Sequence, residues 1–314
     1  MEQNPRRRTA ARVAWGALAY TVLVILWGGF VRASGAGAGC GDHWPDCNGE
    51  LIPRDPSLNT MIEFGHRVTS GIALPLVLVV LVLVWRAWPR GAFARKAAVA
   101  SVAFMLLEAA IGAGLVLFEY VAFDTQVARG YWMAAHLANT LLLLAAMTLT
   151  ARAASGAPPP RFGGLGRAGV ATWVALGSVF VLGISGAVTA LGDTLTLAGG
   201  ISPEDDAFVA TLVGLRVLHP TLAFVALGAV GVAVWASRDG AGVADRVGLW
   251  VLGGFGVQML IGAVNVWLRA PVWLQIVHLL VTDVIWIALV VFAARVATRD
   301  RALLTPTAGV GAAA

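Results

Sequence analysis

Glu63, His66 and Arg67 stand close together in the stretch MIEFGHRVTSG, Met61 to Gly71, and an apolar run continues from there towards Trp85. A carboxylate, an imidazole and a guanidinium so placed can move protons, hold a metal or bind an anion. Ionisable groups inside an apolar span are costly, and by default they mark function. Three more histidines share this setting. His136, His219 and His278 each lie a few residues inside an apolar run, whereas His43 lies in a polar stretch. Haem iron accepts axial histidines from opposite sides of its ring, and helical bundles hold cofactors between facing helices. The candidate axial pairs are therefore His66 with His136 and His219 with His278. For any single histidine, a bond to a neighbouring helix is the plainer account. Four at equivalent places favour ligation. Gly65, Gly71, Ala134, Ala135 and Ala138 either make room for a flat ring or let helices pack closely.

Glu63-x-x-His66 also fits part of a carboxylate di-iron site. That site needs a second such motif and two further Glu. The later stretch LRVLH, Leu215 to His219, has no Glu, and only Glu108 could help. Both cysteines, Cys40 and Cys47, lie in GAGCGDHWPDCNGELIP. If that loop faces the oxidising side of a membrane, the pair persists as a disulfide. It would serve as a staple for the loop or as a redox pair working by thiol exchange. His43 and Trp44 either cap a pocket near His66 or simply pack the loop.

The elements that must position these groups are membrane helices. Hydrophobic residues make up 59% of the 314, and charged residues only 12%. The mean hydropathy is +0.81. A soluble domain carries roughly a quarter charged residues. Spans need roughly 20 apolar residues, and eight windows qualify, at about 13–33, 62–86, 97–118, 131–153, 168–191, 210–236, 246–267 and 272–297. Strand alternation is absent, so the expected fold is an all-α integral membrane protein with eight transmembrane helices. The first run reads as a retained span rather than a cleaved signal peptide. Pro75 and Pro220 are expected to kink their helices.

Arg6, Arg7, Arg8, Arg12, Arg86, Arg90, Arg95, Lys96, Arg152, Arg161, Arg167, Arg238, Arg246, Arg295, Arg299 and Arg301 fall on one side. That side is the cytoplasmic one, so both termini are expected there. The net charge of +5 reflects this topology, and no basic stripe suits nucleic acid. The Arg, Ala and Gly bias suggests a high-GC bacterial genome, hence a bacterial plasma membrane. The four histidines then all lie towards the outer face, within roughly 10 Å of the helix ends at about 1.5 Å per residue.

The chain also repeats. EAAIGAGLVL from Glu108 matches QMLIGAVNVW from Gln258, YWMAAH from Tyr131 matches VWLQIVH from Val272, and His66 corresponds to His219. Two pseudo-symmetric four-helix bundles are expected, over 1–153 and 168–314. The Pro- and Gly-rich stretch 154–167 is a cytoplasmic linker.

Together, IEFGHR, the Cys loop around WPDCNG and four histidines on eight spans resemble the haem A synthase family over nearly the whole chain. The resemblance implies an oxidoreductase that converts a ring methyl of haem O to the formyl group of haem A by successive hydroxylations. It implies that His66 and His136 hold the substrate haem and that His219 and His278 hold a haem b relaying electrons. Glu63 matches the family's functional acid, and Cys40 and Cys47 match its disulfide. Arg67 and Arg216 are candidates to pair with haem propionates or to snorkel to headgroups. Glu108 and Asp283 have no assigned role. Candidate partners are membrane lipid, a haem O synthase, a quinone or other electron acceptor, and further copies of the chain. Two other readings fit the same spans: a di-haem electron carrier without substrate chemistry, and a transporter of parallel repeats.

Overall fold

The computed structural model describes residues 4–160, 166–238, 242 and 244–304, with side chains described as far as residue 298. Arg161, the linker centre at 161–165 and the side chains of Arg299 and Arg301 lie outside that description. Among the described residues the chain is helical. The helices are α1 (Pro5–Ala33), α2 (Leu58–Ala87), α3 (Phe93–Leu117), α4 (Val127–Ala154), α5 (Arg167–Asp193), α6 (Ala207–Leu215), α7 (Leu218–Ala236), α8 (Arg246–Trp267) and α9 (Val272–Leu304). Eight helical stretches are long and apolar enough to cross a membrane, α6 and α7 forming one of them.

Most helices overrun their apolar windows because polar residues cap and extend them past the lipid. Asn4 accepts from the Arg6 N–H, and Pro5 opens α1 where its missing N–H costs nothing. Ser57 accepts from the Thr60 N–H ahead of α2, and Asp245 from the Val247 N–H ahead of α8. Asp206 caps α6, and the Val209 N–H holds its carboxyl below the usual range.

The two prolines behave differently. α2 continues through Pro75. The sixth span breaks into α6 and α7 at Arg216 and Val217, just ahead of Pro220. Proline has no N–H to give the carbonyl four residues back, and its ring crowds that carbonyl. The span therefore restarts at Leu218, and His219 falls on the first turn of α7 rather than mid-helix. α5 ends in a π-helical turn, Thr194–Ala198.

Helices α1 to α4 close one ring of neighbours: α1 on α2 and α4, and α3 on α2 and α4. Helices α5 to α9 close a second, through α5 on α6, α7 and α9, and α8 on α7 and α9. α1 and α4 of the first ring meet α5 and α9 of the second. Trp286 Nε1 in α9 donates to the Leu141 carbonyl in α4 at 2.7 Å, and the Trp286 ring lies 6.2 Å from that of Phe180 in α5. Lipid is as apolar as leucine, so close packing and interhelical hydrogen bonds must hold such a seam.

Candidate haem-binding site

α7 and α9 bring His219 and His278 together edge-on, with ring centroids 6.4 Å apart and planes 67° to each other. Metal–imidazole bonds are about 2 Å long, so two rings sharing a metal from opposite sides have centroids roughly 6 Å apart. The observed spacing fits one iron between them. Ser185 Oγ in α5 lies 3.0 Å from His219 Nδ1, which orients that ring. His278 Nδ1 is buried without a hydrogen-bond partner.

In the first ring, α2 supplies His66 and α4 supplies His136. The Nδ1 atoms of both are buried without a hydrogen-bond partner. Glu108 Oε1 of α3 stands 3.5 Å from His136 Nδ1.

Three of the rings rest on glycine. A Cβ at Gly28 would stand 2.9 Å from the His66 ring, one at Gly186 3.0 Å from His219, and one at Gly262 3.2 Å from His278. The neighbouring backbone thus comes as near as each imidazole allows. Sequence reasoning missed these glycines, because one glycine among 37 carries no signal. The small residues it did single out act differently: Gly65 packs on the Trp27 ring, and Gly71 has open space. Orphaned imidazole nitrogens, a spacing that suits one metal and glycine cradles together fit haem. Among the described residues no three His, Cys, Asp or Glu side chains gather as a metal site, so the ligand count for di-iron is not met.

Glu63 is held from two sides. Its Oε1 accepts from Arg67 Nη2 at 2.5 Å and Nε at 3.2 Å, and its Oε2 from the Cys40 N–H at 2.9 Å. Arg67 Nη1 reaches on to the His43 carbonyl at 2.6 Å and to that of Asp46. The fork ties the acid to the Cys loop. Cys40 and Cys47 form a disulfide, and both residues are fully buried, so thiols in solution have no path to either sulfur in this conformation. Gly39 packs directly on the Asn59 carbonyl, where any side chain would collide, and Thr60 Oγ1 donates to the Gly39 carbonyl at 2.8 Å. Trp44 is 45% exposed, and His43 pairs with Asp42 at 3.2 Å, so neither is buried over a pocket.

Arg216 is likewise committed, to Asp193 at 2.7 Å and Thr196 Oγ1 at 2.9 Å. Asp283 is buried in α9, and its Oδ2 has no hydrogen-bond partner. Arg32 also escaped sequence reasoning. Its Nη1 donates to the Ala190 carbonyl and Thr194 Oγ1, both at 2.8 Å, and its Nη2 to Gln275 Oε1 at 3.0 Å.

Fold and site together define a multi-pass helical membrane protein that carries four histidines within its spans. More particularly, the chain belongs to the cytochrome oxidase assembly protein family, whose sequence profile matches residues 11–290. The likeness to haem A synthases seen in the motifs is borne out. A heme A synthase of Exiguobacterium is 40% identical over 98 residues, 31% of this chain and 33% of that protein. One of Alkalihalophilus pseudofirmus is 34% identical over 97 residues, 31% of this chain and 33% of that protein. A protein of Thermus thermophilus named protoheme IX farnesyltransferase is 43% identical over 303 residues, 93% of this chain. The chain spans about half of that relative, 49% of its length.

Proposed function

We propose that this chain makes haem A, oxidising a ring methyl of haem O to a formyl group through successive hydroxylations and loss of water. With electrons led away, water supplies the oxygen of each hydroxylation, so the work requires a protein that grips the ring, admits water, receives protons and leads electrons away. In this reading the half formed by residues 1–153 holds the substrate between His66 and His136. The half formed by residues 168–314 holds haem b between His219 and His278. Haem b there supplies a one-electron acceptor.

Glu63 receives protons from the reacting edge or steers it. Arg67 and the Cys40 N–H fix where its two oxygens stand. The disulfide-tied loop is fixed to that acid through the Cys40 N–H and Arg67. No acid occupies the corresponding turn of the other half, where Arg216 and Val217 stand. One reacting half and one relaying half account for that asymmetry.

Supply of haem O requires an enzyme that attaches a farnesyl chain to protohaem. The Thermus relative carries a name of that kind and about twice this chain's length, which supports such a partner at the same membrane. A quinone is the acceptor chemistry best suited to electrons leaving within the bilayer, and the expected setting is a bacterial plasma membrane with both termini cytoplasmic.

The observation that carries this reading is the 6.4 Å pair of His219 and His278 in a chain of this family. Purified protein should yield haem b together with haem O or haem A on extraction and mass analysis. His219→Ala should remove the low-spin haem b signal, and His66→Ala should remove the other haem. Haem b alone would favour an electron carrier, and no low-spin haem would reject the reading.

A further inference from the structure

We propose that Glu108 is a positioning residue for His136, and that Gln258 at the matching place gives the second histidine pair a different electronic character. This rests on the haem reading above. Glu108 and Gln258 open the matching segments EAAIG and QMLIG. Each faces a helix carrying histidine and threonine four residues apart, His136 with Thr140 and His278 with Thr282. The two side chains do opposite things there.

Glu108 is pinned as an acceptor. Asn139 Nδ2 donates to its Oε2 at 2.5 Å, and the Thr140 hydroxyl donates to its Oε1. Asn139 is itself held by the Phe104 carbonyl at 2.9 Å. The same Oε1 faces His136 Nδ1 at 3.5 Å, and that nitrogen has no hydrogen-bond partner. Gln258 acts as a donor. Its Nε2 gives to the His278 carbonyl at 2.8 Å and to Thr282 Oγ1 at 2.5 Å. It thus engages main chain and hydroxyl, and His278 Nδ1 stays without a partner. The two remaining imidazoles have no carboxylate bonded to Nδ1 either: a hydroxyl lies by His219 and no partner by His66.

A histidine that binds metal through one nitrogen commonly gives its other N–H to a carboxylate. This fixes the tautomer and makes the metal-facing nitrogen a stronger donor. A strong donor with an anion behind it favours the more positive, oxidised iron. Glu108 sets a carboxylate 3.5 Å behind the Nδ1 of His136 alone, without a formed hydrogen bond, and its charge acts on that ring, so the haem held by His66 and His136 has the lower reduction potential of the two. Gln258 leaves the other pair without that bias.

The test is a spectroelectrochemical titration of the purified full-length protein, with the two haem signals assigned through His136→Ala and His278→Ala. Outer-shell partners of metal ligands are typically worth 10–100-fold. Glu108→Gln keeps the acceptor for Asn139 and removes the charge. It should raise the midpoint of the His136-dependent haem by at least about 59 mV, a tenfold change for one electron, and leave the other unmoved. Gln258→Glu should lower the His278-dependent midpoint. Unmoved midpoints in both variants, with haem bound, overturn the proposal. If Glu108→Gln retains no haem, Gln258→Glu decides alone: a lowered midpoint supports the proposal, and an unmoved one overturns it. A wild-type protein with no haem lost on His136→Ala would instead overturn the haem reading on which this rests.

Discussion

Glu63 shows how much one residue can carry. Its type, its place three residues before His66 and its apolar surroundings were legible in the sequence as a costly charge kept for a reason. Its partners were not. They are loop groups, the Cys40 N–H on Glu63 itself and the His43 and Asp46 carbonyls gripped by Arg67, and a main-chain group leaves no pattern in sequence. The Glu63–Arg67 pair is nearly buried, with side chains 5% and 11% exposed. Breaking such a pair leaves an uncompensated charge. Hydrogen bonds to charged groups are worth about 1.5–3 kcal/mol, and about 1.4 kcal/mol is tenfold in an equilibrium. Arg67→Ala should therefore open the loop at least about tenfold more often. The fully buried Cys40–Cys47 bond reports that opening, because dithiothreitol reaches it only when the loop lifts. Reduction followed by alkylation and mass measurement should run at least about tenfold faster in Arg67→Ala than in wild type, and an unchanged rate would remove the clamp from the account.

Helices were the most legible level, since every apolar window became a span. Their ends were harder to read. Caps at Asn4, Ser57 and Asp206 start helices several residues before the apolar residues begin. The Ser57 cap thus leaves His66 about 12 Å along α2, and α4, which starts early without a side-chain cap, leaves His136 about 14 Å along, both farther than the roughly 10 Å expected from the windows. The break before Pro220 follows from proline chemistry, but the smooth passage of α2 through Pro75 shows that proline alone does not decide it. How closely helices approach was not legible at all, and the glycines under the imidazoles set it. Forcing a methyl into a packed contact costs typically about 1–3 kcal/mol. Gly28→Ala puts a Cβ 2.9 Å from the His66 ring, so the ring must turn or α1 must retreat. Gly112, which matches Gly262 in the repeated segment, has nothing within 4 Å. Gly28→Ala is expected to weaken the haem signal that depends on His66, and Gly112→Ala to leave it intact. Equal spectra for the two would mean the glycine contact does not position the ring.

At the scale of the whole molecule, the internal repeat was visible as paired segments, yet nothing in the sequence said how the two rings of helices are joined. The join lies in the bilayer, where burying apolar surface between helices gains little over leaving it in lipid. Packing and a few directed bonds must supply the difference. The Trp286 bond to the Leu141 carbonyl is one, and Gly183 and Gly29 let Leu141 and Leu279 come close across the seam. Arg32 is another. From the end of α1 it donates to the Ala190 carbonyl, Thr194 and Gln275, joining α1 to the end of α5 and the start of α9. In sequence it was one arginine near a span end, which headgroups would satisfy equally well. The structure makes it a bolt between halves, and that use can be measured once the covalent linker is removed. Residues 1–153 and 168–314, expressed together as separate chains, should copurify, because each closes its own ring of helices. Arg32→Ala removes three charge-assisted bonds from the seam while leaving each ring's internal contacts in place. It should cut the yield of the paired halves several-fold and leave the spectrum of the His219–His278 half unchanged. Undiminished pairing would assign the seam to packing and to the Trp286 and Arg152 bonds, whereas loss of the His219–His278 signal would mean that the second ring is not held together independently of the first.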